Sequence, residues 1–155
     1  MEITPTWLRA IRMHLFFSVP EAAEIIGGVG ERYWRYMESG EKPIKEDIVE
    51  KFRSLCEWRN AEIHLRTSAV YEMPDEQELV LVWHSTLDDW ISMPDRDPEL
   101  WRPECSIAAE LCAVFDATLI EFDLSAYKTW LKNSKDSEEM RKKWAAEYQN
   151  SAIDL

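Results

Sequence analysis

Residues 18–40 read SVPEAAEIIGGVGERYWRYMESG, and the organisation of the chain follows from them. Ser18 with Glu21 three positions on is a capping box, which starts a helix through Ala22, Ala23, Ile25 and Ile26. Gly27 and Gly28 end it. After a very short turn, a second helix begins near Gly30, carries Tyr33, Trp34 and Met37, and stops at Ser39-Gly40. Trp34 and Met37 form its apolar side. Arg32, Arg35 and Tyr36, spaced three and four apart, share another face, with Tyr33 beside them.

Working outward, Thr4-Pro5 reads as an N-cap and first helical position, and Trp7, Leu8, Ile11 and Leu15 recur at helical spacing. A first helix is predicted over 5–16. Ile48, Val49, Phe52, Leu55, Cys56, Arg59, Ile63 and Leu65 predict a long fourth helix, from about Lys45 to about Ala69. Three helices, the second short and joined tightly to the third, match the spacing of a helix-turn-helix. A linker is expected over Tyr71–Gln77, a strand over Leu79–Trp83, and a short helix near Thr86–Ile91. A helix over Glu104–Phe115 follows, then a strand or turn at Leu119–Phe122 and two charged helices over about 124–133 and 136–149. The predicted class is mainly α: a helix-turn-helix domain over 1–70, and an acidic module over 78–155. That module is small α+β and ends in a helical tail.

The third helix carries the chemistry. Arginine can bond guanine O6 and N7 bidentately, discriminating bases by about 1–3 kcal/mol, and tyrosine can bond phosphates or pack on sugars and thymine methyls. The same arginines are equally at home on a solvated helix face. Net charge is −12 over 155 residues, which argues against nucleic acid for the chain as a whole. The halves differ, however. Residues 1–60 hold nine Lys/Arg against ten Asp/Glu, and residues 61–155 hold nine against twenty. The acidity belongs to the second half, so the two halves are expected to do different work.

From Leu8 to Pro43 the chain resembles the lambda-repressor-like (Xre) helix-turn-helix, through Leu8 and Arg12, Ala22-Ala23 with Gly27, and Glu38-Ser39-Gly40. One extra glycine, in Gly27-Gly28-Val29, departs from that pattern. Over roughly residues 4–115 it is similar to the YdiL-like family, which includes the anti-CRISPR-associated autorepressors. That likeness rests on Leu8-x-x-Ile11-Arg12, Ser18-x-x-x-Ala22-Ala23, Arg32-x-Trp34-x-Tyr36-x-Glu38-Ser39-Gly40, and Trp101-Arg102 with Ser106-Ile107-Ala108-Ala109. Met37, and Gly30 with Glu31, depart from the family pattern. The resemblance implies that Arg32 reads the operator and that Arg12 pairs with Glu38. By spacing, Trp34 reads as the buried anchor of the third helix and Gly40 as its stop, while the resemblance further implies repression at the chain's own promoter.

Other readings weigh less. Gly27-Gly28-Val29-Gly30 follows a helix rather than a strand, and no Lys-Ser/Thr follows, so it is not a phosphate loop. Asp88-Asp89 and Glu138-Glu139 point apart on helices and read as solvated acids. His84 stands alone, and Cys56, Cys105 and Cys112 lack disulfide or zinc spacing. No enzyme site, metal or cofactor is expected. The start lacks a basic n-region and no apolar run reaches about 20 residues, so a cytoplasmic chain without a membrane span is expected. Eight tryptophans fit core packing or a dimer interface. The expected partners are double-stranded DNA, on which Ser18 holds a phosphate, and a second copy of the chain. The alternative is an antitoxin-like interaction module whose acidic half binds a basic protein.

Overall fold

The computed structural model describes residues 2–153, with side chains through residue 149. The chain is mainly helical with one two-stranded sheet, the class its periodicities predict. Helix α1 (Pro5–His14) starts at Thr4, whose hydroxyl accepts from the Trp7 amide, with Pro5 in the first turn where its missing N–H costs no bond. The predicted span overshoots its end. Phe16 takes a left-handed conformation at φ 66°, and that bend carries Phe17 into the core.

Helix α2 (Val19–Glu21) opens on the capping box: Glu21 N–H donates to the Ser18 hydroxyl at 3.3 Å, and Ser18 N–H to the Glu21 carboxylate at 2.9 Å. It widens into a π-type turn over Ala22–Gly27 and closes at Gly28, φ 55°. A left-handed residue with a Cβ costs roughly 1–2 kcal/mol, so Gly28 is the glycine this turn requires. Helix α3 (Glu31–Ser39) follows at once and ends at Gly40, φ 83°. Helix α4 (Glu46–Tyr71) runs 26 residues, about 39 Å at 1.5 Å per residue. Leu8, Leu15, Phe17, Ile26, Trp34, Met37 and Phe52 close the first core between these helices.

Strand β1 (Val80–Trp83) runs parallel to β2 (Thr118–Glu121), with Val80 opposite Thr118. A parallel pair needs a crossover connection, which α5 (Leu87–Ile91) and α6 (Trp101–Phe115) supply. Helix α6 begins three residues before the predicted Glu104. Pro103 lies in its first turn, where proline is tolerated. The strand-or-turn alternative after α6 resolves as a strand. Helices α7 (Leu124–Leu131) and α8 (Glu138–Ile153) then pack Tyr127, Trp144 and Ala145 against Phe122 and the sheet residues Val80, Val82 and Ile120.

The parts meet along α4 and α6. Arg59 Nε donates to Ser106 Oγ at 2.7 Å and its Nη2 to the Glu110 carboxylate at 2.6 Å. Arg66 bridges Glu62 and Glu104, and Lys51 pairs with Glu99 at 2.8 Å. Trp90, Trp101 and Cys105 form a small core here with Ile25 and Trp83, so Trp90 and Trp101 are packing residues. No helix of the described residues is long and apolar enough to cross a membrane. Among the described residues, no group of three or more His, Cys, Asp or Glu is placed to hold a metal ion.

Candidate nucleic-acid interface

Helix α3 is anchored from within. Trp34 and Met37 are fully buried, and the Trp34 ring meets Phe52 edge-on at 5.8 Å. The Trp34 indole N–H donates to Glu38 Oε1 at 2.8 Å. Arg12 Nε donates to the same oxygen at 2.6 Å, and its Nη2 to Oε2 at 3.3 Å. Arg12 Nη1 also donates to the Phe17 carbonyl at 3.0 Å, and Arg9 Nη2 to the Glu38 carbonyl at 3.3 Å. This network ties α1 to α3 and fixes the bend between α1 and α2. Burial alone would raise the Glu38 carboxyl. The donors from Arg12 and Trp34, with the charges of Arg12 and Arg9, outweigh it and hold the group below its ordinary value.

The opposite side of α3 is open. Arg32 is exposed, and its Nε donates to the Tyr36 hydroxyl at 2.6 Å while the guanidinium lies 5.4 Å from the Tyr36 ring centre. Among the described residues no carboxylate pairs with it and no acceptor meets its terminal N–H donors. Arg35 differs: its Nη2 pairs with Glu31 Oε1 at 2.7 Å, both side chains exposed. Tyr33 is half-buried against the first core, with the Lys45 ammonium 5.3 Å from its ring centre. Gly40 closes the helix behind this face.

The predicted residues therefore fall into distinct groups. Arg32 and Tyr36 form one bonded unit. Arg35 sits beside them in a local ion pair, and Tyr33 leans inward. Ser18 lies on the preceding helix, exposed, its hydroxyl accepting from Glu21 N–H. Sequence reading passed over the partner of that cap. Both Glu21 oxygens accept from Arg102 on α6, at 3.0 and 2.7 Å. Burial pushes the Glu21 carboxyl up, but Arg102 and Ser18 together bring it below its ordinary value. It also passed over Arg59 as an inward-facing cation. The one signal was its place on the apolar stripe of α4, one turn beyond Leu55 and Cys56.

A short helix, joined through a three-residue turn to a helix with one buried side, defines a helical module with an open outer face that carries Arg32, Arg35 and Tyr36. The family described as Aca2/YdiL-like matches residues 3–120, so the chain belongs to that family. Among its relatives, a protein of Pectobacterium phage ZF40 named Aca2 repressor is 33% identical over 103 residues, covering 66% of this chain and 86% of the relative.

Proposed function

We propose that this chain is a sequence-specific DNA-binding repressor whose α2–α3 pair is a lambda-repressor-like helix-turn-helix. In this reading two copies of α3 enter successive major grooves of an inverted repeat, with half-sites about 34–36 Å apart or a multiple of that. Arg32 reads a base edge. Its Nε bond to the Tyr36 hydroxyl orients the planar guanidinium and leaves the terminal N–H fork for guanine. Arg35 and Tyr33 clamp the backbone, and the Ser18 hydroxyl donates to a phosphate. Occupancy of its own promoter excludes polymerase. The acidic half joins the two copies. Tyr71 and Val114 support a dimer there: both are exposed, and the Tyr71 ring packs edge-on against Phe115 at 5.5 Å.

One observation carries the reading. Arg32 is a cation without a carboxylate, exposed on a helix whose other side is locked by a buried Arg12–Glu38–Trp34 network. The relative named a repressor supports it. The test is a mobility shift on DNA from upstream of the gene, with the parent chain and Arg32→Ala. The variant should lose roughly 1–3 kcal/mol on the cognate site and relax specificity at one base position. Equal affinity of the two would remove Arg32 from the reading surface. A log–log salt plot of near-zero slope would remove phosphate contacts altogether.

A further inference from the structure

Of the two helices proposed to sit on DNA, α2 is held by the second half of the chain. Arg102, in the first turn of α6, reaches Glu21 of α2 across 81 positions of sequence. The contact is bidentate: Nε donates to Oε2 at 3.0 Å and Nη2 to Oε1 at 2.7 Å, with both side chains 22% exposed. The guanidinium is itself supported from beneath. Its carbon lies 4.0 Å from the ring centre of Trp101, which is buried and whose indole N–H donates to the His84 carbonyl at 2.8 Å. Around the bridge the two halves meet through apolar side chains, with Ile25 against the core of Trp90, Trp101 and Cys105, and Leu100 against both cores. Lys51 spans the same seam, donating to the Ile26 carbonyl at 3.2 Å and pairing with Glu99. Among the described residues, Glu21–Arg102 is the ion pair that joins the α2–α3 unit itself to the second half; the others start from α4.

We infer that Arg102 is a positioning residue for DNA reading: it fixes the angle of the α2–α3 unit on the second half, and through it the operator spacing that two copies accept. This rests on the proposed DNA-binding dimer, in which the second half joins the copies. Apolar contact is non-directional, so Ile25 and Leu100 press α2 onto the second half without fixing its rotation. A bidentate fork between charged groups is directional and stronger than a neutral hydrogen bond. With the arginine already stacked on Trp101, less ordering is needed to form it. The Glu21 carboxylate also accepts from Ser18 N–H at 2.9 Å, so the fork holds the entry of the unit together with its first helix. Helix α3 follows through the turn at residues 28–30 and moves with α2. One base pair of B-DNA turns the duplex by roughly 34–36°, from about 10–10.5 per helical turn. A unit free to roll by part of that angle would accept half-sites one base pair out of register, and a clamped unit would reject them.

The experiment uses the full chain and the inverted repeat it protects on DNA from upstream of the gene. Duplexes carry that repeat, the repeat with one base pair added or removed at its centre, or a single half-site. Glu21→Gln is the main variant, because glutamine keeps the capping box and loses the charge that Arg102 grips. Arg102→Ala removes the fork from the other side, and Arg102→Lys restores an ion pair without the fork. If Arg102→Ala does not fold, Glu21→Gln carries the test alone. The parent should prefer the native spacing on the order of 5- to 150-fold, the usual size of a coupling between two sites. Glu21→Gln and Arg102→Ala should each lower that preference several-fold and the double variant no further, with Arg102→Lys in between. Affinity for the single half-site should stay at the parent's value. The same spacing preference in parent and variants would overturn the inference and leave the DNA reading standing. An equal loss on the half-site and on every spacing would also overturn it, since the bridge would then only hold the fold of the module. A parent that binds none of the duplexes would overturn the DNA reading and this inference with it.

Discussion

Removing Arg12 tests the internal tie of α3 most directly. The Arg12 and Glu38 side chains are 12% and 9% exposed, so the pair is largely dry. Arg12→Leu leaves the Glu38 carboxylate with the Trp34 donor at 2.8 Å and an Arg9 guanidinium 3.9 Å away. Breaking such a pair on one side costs about 3–5 kcal/mol, because a buried charge loses its partner. For a chain of this size, each kcal/mol moves the melting point by about 2–4 °C, so a fall of about 6–20 °C is expected. Replacing both partners by leucine should cost less than the sum of the single changes. The residual loss is the Trp34 N–H stripped of its acceptor, about 1–3 kcal/mol. The assay is urea unfolding followed by tryptophan fluorescence, run as a double-mutant cycle. A coupling of about 2 kcal/mol or more is expected. The exposed pair Arg35–Glu31 is the internal control, worth only about 0.3–0.5 kcal/mol. If Arg12→Leu costs under about 1 kcal/mol, or the two changes add without coupling, the network does not hold α3. A pH series adds an independent check. The folded Glu38 value lies below the unfolded one, so its contribution is present above the ordinary glutamate range. It is lost as pH falls through the depressed value, and the double variant should be flatter there.

Other outcomes follow from single residues. His84 is pushed down to about 3 by burial and by the charges of Arg96 and Arg141, with Arg96 Nη1 3.2 Å from its Nε2. The unfolded chain therefore takes the extra proton first, and stability falls as pH drops from about 6.5 towards 3, by about 2 kcal/mol at pH 5. His84→Gln keeps an acceptor for Arg96 and should lose this part of the slope; parallel pH curves for the two proteins would refute the assignment. Lys132 is exposed at φ 55°, ψ −116°, a region that suits glycine, so Lys132→Gly should stabilise by about 1 kcal/mol while Lys132→Ala gains nothing. A lower melting point for the glycine variant would contradict the strain. On the proposed DNA reading, Glu31→Gln releases Arg35 and removes an anion beside the phosphates. Operator affinity should rise, with a salt slope steeper by about one. Unchanged affinity would place Arg35 outside the interface.

The parts of this fold legible in the sequence are those set by neighbours in the chain. The capping box at Ser18 and the glycines at 27, 28 and 40 are local signals, and the helices they bound lie where those signals put them. The buried side of α3 was legible too, because Trp34 and Met37 recur at helical spacing. Departures come from tertiary demand. An aromatic residue does not favour the left-handed region, yet Phe16 adopts it because Phe17 must reach a core that includes Phe52. The helix expected from Glu104 starts at Trp101 instead, with Pro103 inside its first turn. Contacts between distant residues leave no periodic trace at all. The Glu21–Arg102 bridge spans 81 positions and the Arg59–Glu110 bridge 51. Trp130 and Trp144 likewise meet in one core only because α7 and α8 pack over the sheet.

The pairing of charges qualifies the contrast between the halves more than their counts do. Of the nine cations in residues 1–60, Arg12 and Arg59 are turned inward, Arg9 and Arg35 sit beside acids of the same module, and Lys51 faces Glu99. Arg32, Lys42, Lys45 and Arg53 have no carboxylate at pairing distance among the described residues. On α3 itself Arg32 and Arg35 stand against Glu31 and Glu38, and because Glu38 is held inside by Arg12 and Trp34 and Glu31 by Arg35, Arg32 is the cation left outside an ion pair on its open side. At physiological salt the Debye length is about 8 Å, so acids of the far half act on that surface only weakly, whereas at about 0.01 M salt their reach grows to about 30 Å. A chain of net charge −12 can thus present an unpaired arginine on an open helix face. The ion pairs that tie α2 and α4 to the segment 99–110 serve the same end. Glu21, Glu99, Glu104 and Glu110 are each neutralised there, by Arg102, Lys51, Arg66 and Arg59. Breaking any of these bridges frees a carboxylate near the module as well as loosening a contact.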